Sequence, residues 1–144
     1  MSFSYEFLDD VAVADLAFDA TGDTLPELFQ GATNAVIETM ADPRTIRSSW
    51  TQTIDRNDAE PASLLFEWLS ELVYWKDAAG VVFSRADLVL VQDSLGWTLH
   101  ARLYGEPVNS STQDLRADVK GVTKHLYRLD RRHERWTVRV VLDV

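Results

Sequence analysis

No cysteine occurs among the 144 residues. Disulfides, thiolate zinc sites and cysteine nucleophiles are therefore excluded. A secretory leader is not expected: Met1-Ser-Phe-Ser-Tyr-Glu-Phe7 has neither a basic nor an apolar segment of that kind. No apolar run approaches the ~20 residues a membrane helix needs, so the expected setting is cytoplasmic, with no membrane partner. Several catalytic signatures are absent too. There is no Gly-x-Ser-x-Gly elbow, no phosphate loop ending in Gly-Lys-Ser/Thr, no Gly-x-Gly-x-x-Gly and no His-Glu-x-x-His. Positive charge is scarce: 14 Lys and Arg face 23 Asp and Glu, for a net charge of −9. Such a field opposes phosphate backbones, so stable direct nucleic-acid binding is not expected. A metal ion or a protein is the more natural partner.

The chain has enough apolar material for a core. Its apolar fraction is 46%, with five Trp, six Phe and four Tyr, which argues against disorder. No repeat, low-complexity tract or linker interrupts it, so residues 1–144 read as a single domain. Residues 5–8 and 12–20 read as strands. In the second, Ala12, Ala14, Leu16, Phe18 and Ala20 share one face, with Asp15 and Asp19 on the other. Thr21-Gly22-Asp23 reads as a turn. Thr24 and Glu27 then form a capping box before a helix patterned by Leu25, Leu28, Phe29, Ala32, Ala35, Val36 and Met40. Asp42-Pro43 ends it.

Residues 45–54 are rich in β-branched side chains and predict a strand, with an acidic loop from Asp55 to Glu60. Pro61 opens a second helix, whose stripe of Leu64, Leu65, Trp68, Leu69, Leu72, Val73 and Trp75 faces the core. Lys76 to Gly80 reads as a turn. Strands are expected at 81–84, 87–93 and 97–104, an irregular stretch at 105–119, and a final pair near 120–130 and 136–143. Arg131-Arg-His-Glu-Arg135, a basic cluster in an acidic protein, is the loop between them and is expected to be solvated; contact with RNA or with an acidic partner surface is the alternative. Two helices among about seven mostly antiparallel strands define an α+β class, a two-layer sandwich.

The last segment, Trp136 to Val144, alternates like a half-buried strand. Trp136, Val138, Val140 and Leu142 share one face; Thr137, Arg139, Val141 and Asp143 share the other. A strand held in a sheet fixes the Asp143 carboxylate and the oxygens of Val144, and paired oxygen anions suit a hard cation such as Ca²⁺ or Mg²⁺. The alternative is a strand that merely ends in Asp-Val. Asp9-Asp10 could serve acid–base chemistry if buried; a metal site is the better use of acids drawn from both ends of the chain.

Several segments, in order, carry a family resemblance. They are Tyr5-Glu-Phe-Leu-Asp9, Ala14-Asp15, Gly22-Asp-Thr-Leu-Pro-Glu-Leu-Phe29 and Leu64-Leu-Phe-Glu-Trp-Leu-Ser-Glu-Leu72. Gly105-Glu106, Val119-Lys-Gly-Val-Thr-Lys-His125 and Val141-Leu-Asp-Val144 complete the set. The chain resembles archease almost end to end.

The resemblance implies a metal-binding protein that is not itself an enzyme. It would activate an RtcB-type RNA ligase in tRNA splicing by promoting ligase guanylylation with GTP and multiple turnover. Asp15, Asp143 and Val144 match the family's metal site, and no catalytic residue is implied. Many members carry His-Thr-Ala-Asp where this chain has Ala12-Val-Ala-Asp15. The missing His leaves an all-oxygen set, which Asp10 would extend; that favours Ca²⁺, with Mg²⁺ or Mn²⁺ as alternatives, over zinc. Lys120 lies in the Val-Lys-x-Val-Thr-x-His segment and would act near the metal or the ligase's GTP. His125 is either a further ligand or a strand histidine. His100 and His133 have no supporting spacing. Two rival functions remain at this stage: a general chaperone or adaptor, and a small metal-dependent hydrolase using Asp15, Asp143 and Lys120.

Overall fold

The computed structural model describes residues 2–8 and 15–144. Asp10, Ala12 and Ala14 lie outside them. Seven strands and two long helices follow one another as β1 (Phe3–Leu8), β2 (Leu16–Gly22), α1 (Leu25–Met40), β3 (Trp50–Asp58), α2 (Pro61–Ala79), β4 (Val81–Asp93), β5 (Gly96–Pro107), β6 (Gly121–Arg132) and β7 (Arg135–Asp143). They form a four-stranded sheet, β1-β2-β7-β6, and a three-stranded sheet, β3-β5-β4. Every pairing is antiparallel. Each helix packs on both sheets, so the expected α+β sandwich is what the chain forms.

The helices follow their sequence signals. Thr24 caps α1: its hydroxyl accepts from the Glu27 N–H at 3.3 Å and donates to the Glu27 carboxylate at 2.8 Å. The core is continuous from Phe18 and Ala20 of β2, through Leu28, Phe29 and Val36 of α1, to Leu64, Trp68 and Leu72 of α2. One polar chain crosses it. The Trp68 indole donates to Thr33 Oγ1 at 2.8 Å, and Thr33 donates to the Phe29 carbonyl at 2.6 Å. Both donors of this chain, Trp68 Nε1 and Thr33 Oγ1, thus have acceptors, which avoids the ~1–3 kcal/mol cost of an unmet one.

Several boundaries differ from the sequence reading. The strand expected at 45–54 runs instead from Trp50 to Asp58, preceded by a short 3₁₀ turn at Pro43–Thr45. Asp55, Asn57 and Asp58 looked like loop residues, but β3 is an edge strand with one face in water, where charge is tolerated and protects the edge. Helix α2 continues to Ala79 and ends on Gly80 in the left-handed region, φ 65°. The strands expected at 81–84 and 87–93 are one, β4, with a register shift between Phe83 and Arg85. Thr21 and Gly22 belong to β2 rather than to a turn. The β6–β7 loop is only His133-Glu134, at φ 52° and 64°. Those values match the primed hairpin turn that favours right-handed strand twist.

Residues 108–120 carry no helix or strand, yet they are tied down. Arg116 and Ala117 donate their backbone N–H groups to the Met40 and Thr39 carbonyls, both at 2.9 Å, which satisfies orphan groups at the end of α1. The buried Gln113 side chain donates to Glu106 Oε1 at 2.8 Å and to the Pro107 carbonyl at 3.0 Å. That amide, with the Arg47 backbone N–H, holds the Glu106 carboxyl below the usual range. Gly105 precedes it at a close approach, where a methyl group would run into the Val82 carbonyl oxygen.

Gly105→Ala should therefore destabilise the fold by about 1–3 kcal/mol in urea denaturation. Gly121→Ala, with open space around it, should cost far less. Equal losses would remove the close-approach argument. A second expectation concerns Asp42, which the Arg44 guanidinium, then the Arg44 backbone N–H, hold at a pKa of about 2, against an ordinary 3.8. A depressed carboxyl stabilises the fold above its unfolded-state value and loses that contribution as pH falls through the folded one. Wild type should exceed Asp42→Asn in stability at neutral pH, and the difference should fade between about pH 4 and pH 2. A gap that persists at pH 2 in thermal unfolding would show that charge is not its source.

Candidate metal-binding strand ends

The β2–β7 ladder decides what the acidic ends can do. Its pairs run from Gly22↔Trp136 to Leu16↔Leu142. One residue beyond that last pair stand Asp15 on one strand and Asp143 on the other. Asp15 is half-buried and Asp143 exposed. Strand β6 joins them from the other side: Gly121 pairs with Asp143, and the Lys120 N–H donates to the Asp143 carbonyl at 2.7 Å. Val144 packs against the core edge. The fold thus brings the Asp15, Lys120, Asp143 and Val144 backbones to one end of the four-stranded sheet.

His125 is not part of that group. It sits further along β6 in a wide bulge, where five steps from Thr123 to Arg128 oppose two from Val141 to Arg139. Its backbone N–H takes the Thr123 hydroxyl at 3.2 Å, and its ring is exposed. Leu126 within the bulge lies at φ 58°, a strained region for a bulky side chain. The bulge is anchored by the Tyr127 hydroxyl, which donates to the Ala62 carbonyl at 2.6 Å. Lys124 adds a second contact, its ammonium lying 4.2 Å from the Phe66 ring centre. Burial pushes the Tyr127 hydroxyl pKa well up. Thr123-Lys-His-Leu-Tyr127 contains no Gly, Asn or Pro to signal a bulge, although its apolar–polar alternation is broken. His100 pairs instead with Asp55 across β5 and β3 at 2.6 Å. His133 sits at the hairpin tip.

Among the described residues no three His, Asp or Glu side chains gather as a ready metal cage. The donors at the sheet end are two carboxylates and main-chain oxygens. Such a set fits a hard cation that keeps part of its water shell, and it does not fit zinc. Asp10, the further acid named from sequence, lies outside the described residues. A separate cleft of about 370 Å³, lined by Met40, Lys76, Val82, Leu115 and Asp118, has its ammonium already engaged. Lys76 Nζ lies 2.7 Å from Asp77 and 2.5 Å from Asp118. The Lys76 ammonium in turn holds the Asp118 carboxyl below its ordinary pKa.

Fold and strand ends together define a small α+β sandwich with acids at the meeting of its first and last segments. The model of the Archease protein family (MTH1598/TM1083) matches residues 5–144. Protein archease of Saccharolobus islandicus is 30% identical over 141 residues, covering 98% of this chain and 99% of that protein. Protein archease of Methanosarcina barkeri is 28% identical over 141 residues, covering 97% and 95%. The solution structure of Methanobacterium thermoautotrophicum protein 1598 superposes with a TM-score of 0.83 at 28% identity, covering 97% of this chain and 98% of that one. An archease from Thermotoga maritima, described as a possible chaperone, has a TM-score of 0.63 at 17% identity, covering 95% and 96%; that likeness bears on the fold alone. The chain belongs to the archease family. No described helix is long and apolar enough to cross a membrane.

Like charges at neighbouring strand positions repel, at a cost of about 0.2–1 kcal/mol. Asp143→Asn should therefore slightly stabilise the metal-free protein. Millimolar Ca²⁺ should raise the melting temperature of wild type but not of the variant. An equal Ca²⁺ response in both would show that Asp143 is not a ligand.

Proposed function

We propose that this protein is a metal-binding activator of an RtcB-type RNA ligase, promoting guanylylation of the ligase by GTP and its repeated turnover. Asp15 and Asp143 hold a divalent cation, Ca²⁺ in the first instance and Mg²⁺ or Mn²⁺ otherwise, with an oxygen of Val144 and water completing the shell. The bound cation supplies charge neutralisation near a triphosphate. Lys120 adds an ammonium whose backbone is fixed to Asp143, so it can meet a phosphate oxygen beside the cation. His125, exposed in the bulge, would contact the ligase rather than the metal, and Asp10 would extend the oxygen donor set. The ligase keeps its own nucleophile; this chain orients and neutralises. Family membership across nearly the whole length, together with the convergence of Asp15, Lys120 and Asp143 at one sheet end, is the observation that supports this reading.

A chaperone reading is favoured only by the description of the Thermotoga protein. It predicts action on several clients, indifferent to metal and to Asp143. The two separate in one assay: transfer of labelled GMP from GTP to the cognate ligase, with wild type and Asp143→Ala. Wild type should accelerate guanylylation by at least tenfold, as expected when a transition-state contact of roughly 1.4 kcal/mol or more is supplied. The variant should not accelerate it while melting as wild type does. Full acceleration by the variant would discard the proposed site, and none by wild type would discard the function.

A further inference from the structure

The net charge of −9 conceals a strong separation. Seven of the 14 Lys and Arg lie between Lys120 and Arg139, with only Asp130 and Glu134 against them, so that hairpin carries 7 − 2 = +5 and the rest of the chain 7 − 21 = −14. Asymmetry of this size within one domain points to a polyanion as partner.

Strand register and the groove lining assign three of these cations, Arg128, Arg132 and Arg139, to one face. Phe18, Ala20, Val138 and Val140 are buried in the core, so Asp19, Thr21, Thr137 and Arg139 lie on the opposite side of the sheet. Arg128 pairs with Arg139 and Asp130 with Thr137 on that side. Together with Leu126 and Arg132 they line a groove of about 630 Å³. Cross-strand Arg pairs are unfavourable on their own, and carboxylates hold them in place. Asp19 accepts from Arg139 Nε at 2.8 Å and Nη2 at 3.0 Å. Asp130 lies 2.6 Å from Arg128 Nε and 3.9 Å from Arg132 Nη2. A guanidinium has five N–H donors. Arg139 therefore keeps Nη1 clear of hydrogen bonds to the described residues, and its orientation is set by Asp19.

We infer that this groove binds the sugar–phosphate backbone of single-stranded RNA. Oriented guanidinium groups take phosphate oxygens two at a time. The Thr21 and Thr137 hydroxyls donate to the same oxygens. Asp19 and Asp130 accept from ribose 2′-hydroxyls, the group that separates RNA from DNA. Among the described residues that line the groove, the one aromatic, Tyr127, is half-buried with its hydroxyl donating to the Ala62 carbonyl, so recognition is of backbone rather than base. The inference does not depend on ligase activation, and its test needs no ligase.

The test is fluorescence anisotropy with a short labelled RNA of mixed sequence, its DNA counterpart, and polyglutamate as competitor, across a KCl series. Wild type should bind the RNA with a log–log salt slope near −2, about 0.7 for each of three phosphate contacts, and more tightly than the DNA. Arg128→Ala with Arg132→Ala should weaken RNA binding roughly tenfold or more. These side chains are 70% and 66% exposed, so the melting temperature should hold; Arg132→Ala alone gives the same readout if the pair melts early. Arg102→Ala, on the three-stranded sheet, should bind as wild type does. Undetectable RNA binding at low salt, equal weakening by Arg102→Ala, or equal affinity for DNA would each overturn the inference. Polyglutamate displacing RNA at matched charge would overturn it in favour of an acidic protein segment.

Discussion

The pairing of β2 with β7 is the constraint on which the rest of this structure depends. It joins the start of the chain to its end, and the Asp19–Arg139 ion pair on it spans 120 residues of sequence. Closing so large a loop is entropically costly, though the cost grows only slowly with length. Apolar burial offsets it: Phe18 and Ala20 meet Val138, Val140 and Leu142 under α1. The helix in turn needs that surface, because buried positions occur nearly all round it. Sheet centre and helix therefore stabilise each other, and neither is expected to persist without the other.

The same pairing explains how acids from the two ends of the chain come to lie side by side. Asp15 and Asp143 are ordinary acids in sequence. They become neighbours because Leu16 pairs with Leu142, and a register shift of one residue would turn every side chain to the other face. Lys120 is the last residue of the 108–120 segment, which first caps α1 and then leads into β6. A local change at Gly105 or Gln113 can thus reach the acidic end without touching it, through the path the chain takes from one sheet to the other.

Much of this was legible in the sequence, in uneven measure. Both helices followed from periodicity, the Thr24 cap and Pro61, because these are local signals. The alternation of Trp136 to Val144 and the pairing of acids from both termini were readable too, the latter through the family resemblance. Other features depend on tertiary context. Asp55, Asn57 and Asp58 read as a loop because charge suggests solvent, and an edge strand is itself half in solvent. The β6 bulge and the His133-Glu134 turn use residues that do not favour positive φ, so composition gave no warning of them. Net charge was misleading in a different way. It is a sum, and the sum hides a basic hairpin inside an acidic chain.

That separation gives one face of the four-stranded sheet two characters. Strand alternation sets Asp15 and Asp143 on the same side as Asp19 and Arg139, with the buried Ala17–Val141 pair between them. Four residues of extended chain span about 13 Å, well over a Debye length of about 8 Å in physiological salt. Each end therefore experiences mainly its own charges: the acidic end attracts a cation, and the arginine end an anion, without the two cancelling. The chain-wide −9 repels a polyanion at long range, and screening removes most of that repulsion before contact. Binding at the arginine end would then be slow to form at low salt relative to a basic protein, yet specific in place once formed. The spacing between the guanidinium groups at one end of this face and the Asp15–Asp143 acids at the other is fixed by the β2–β7 ladder.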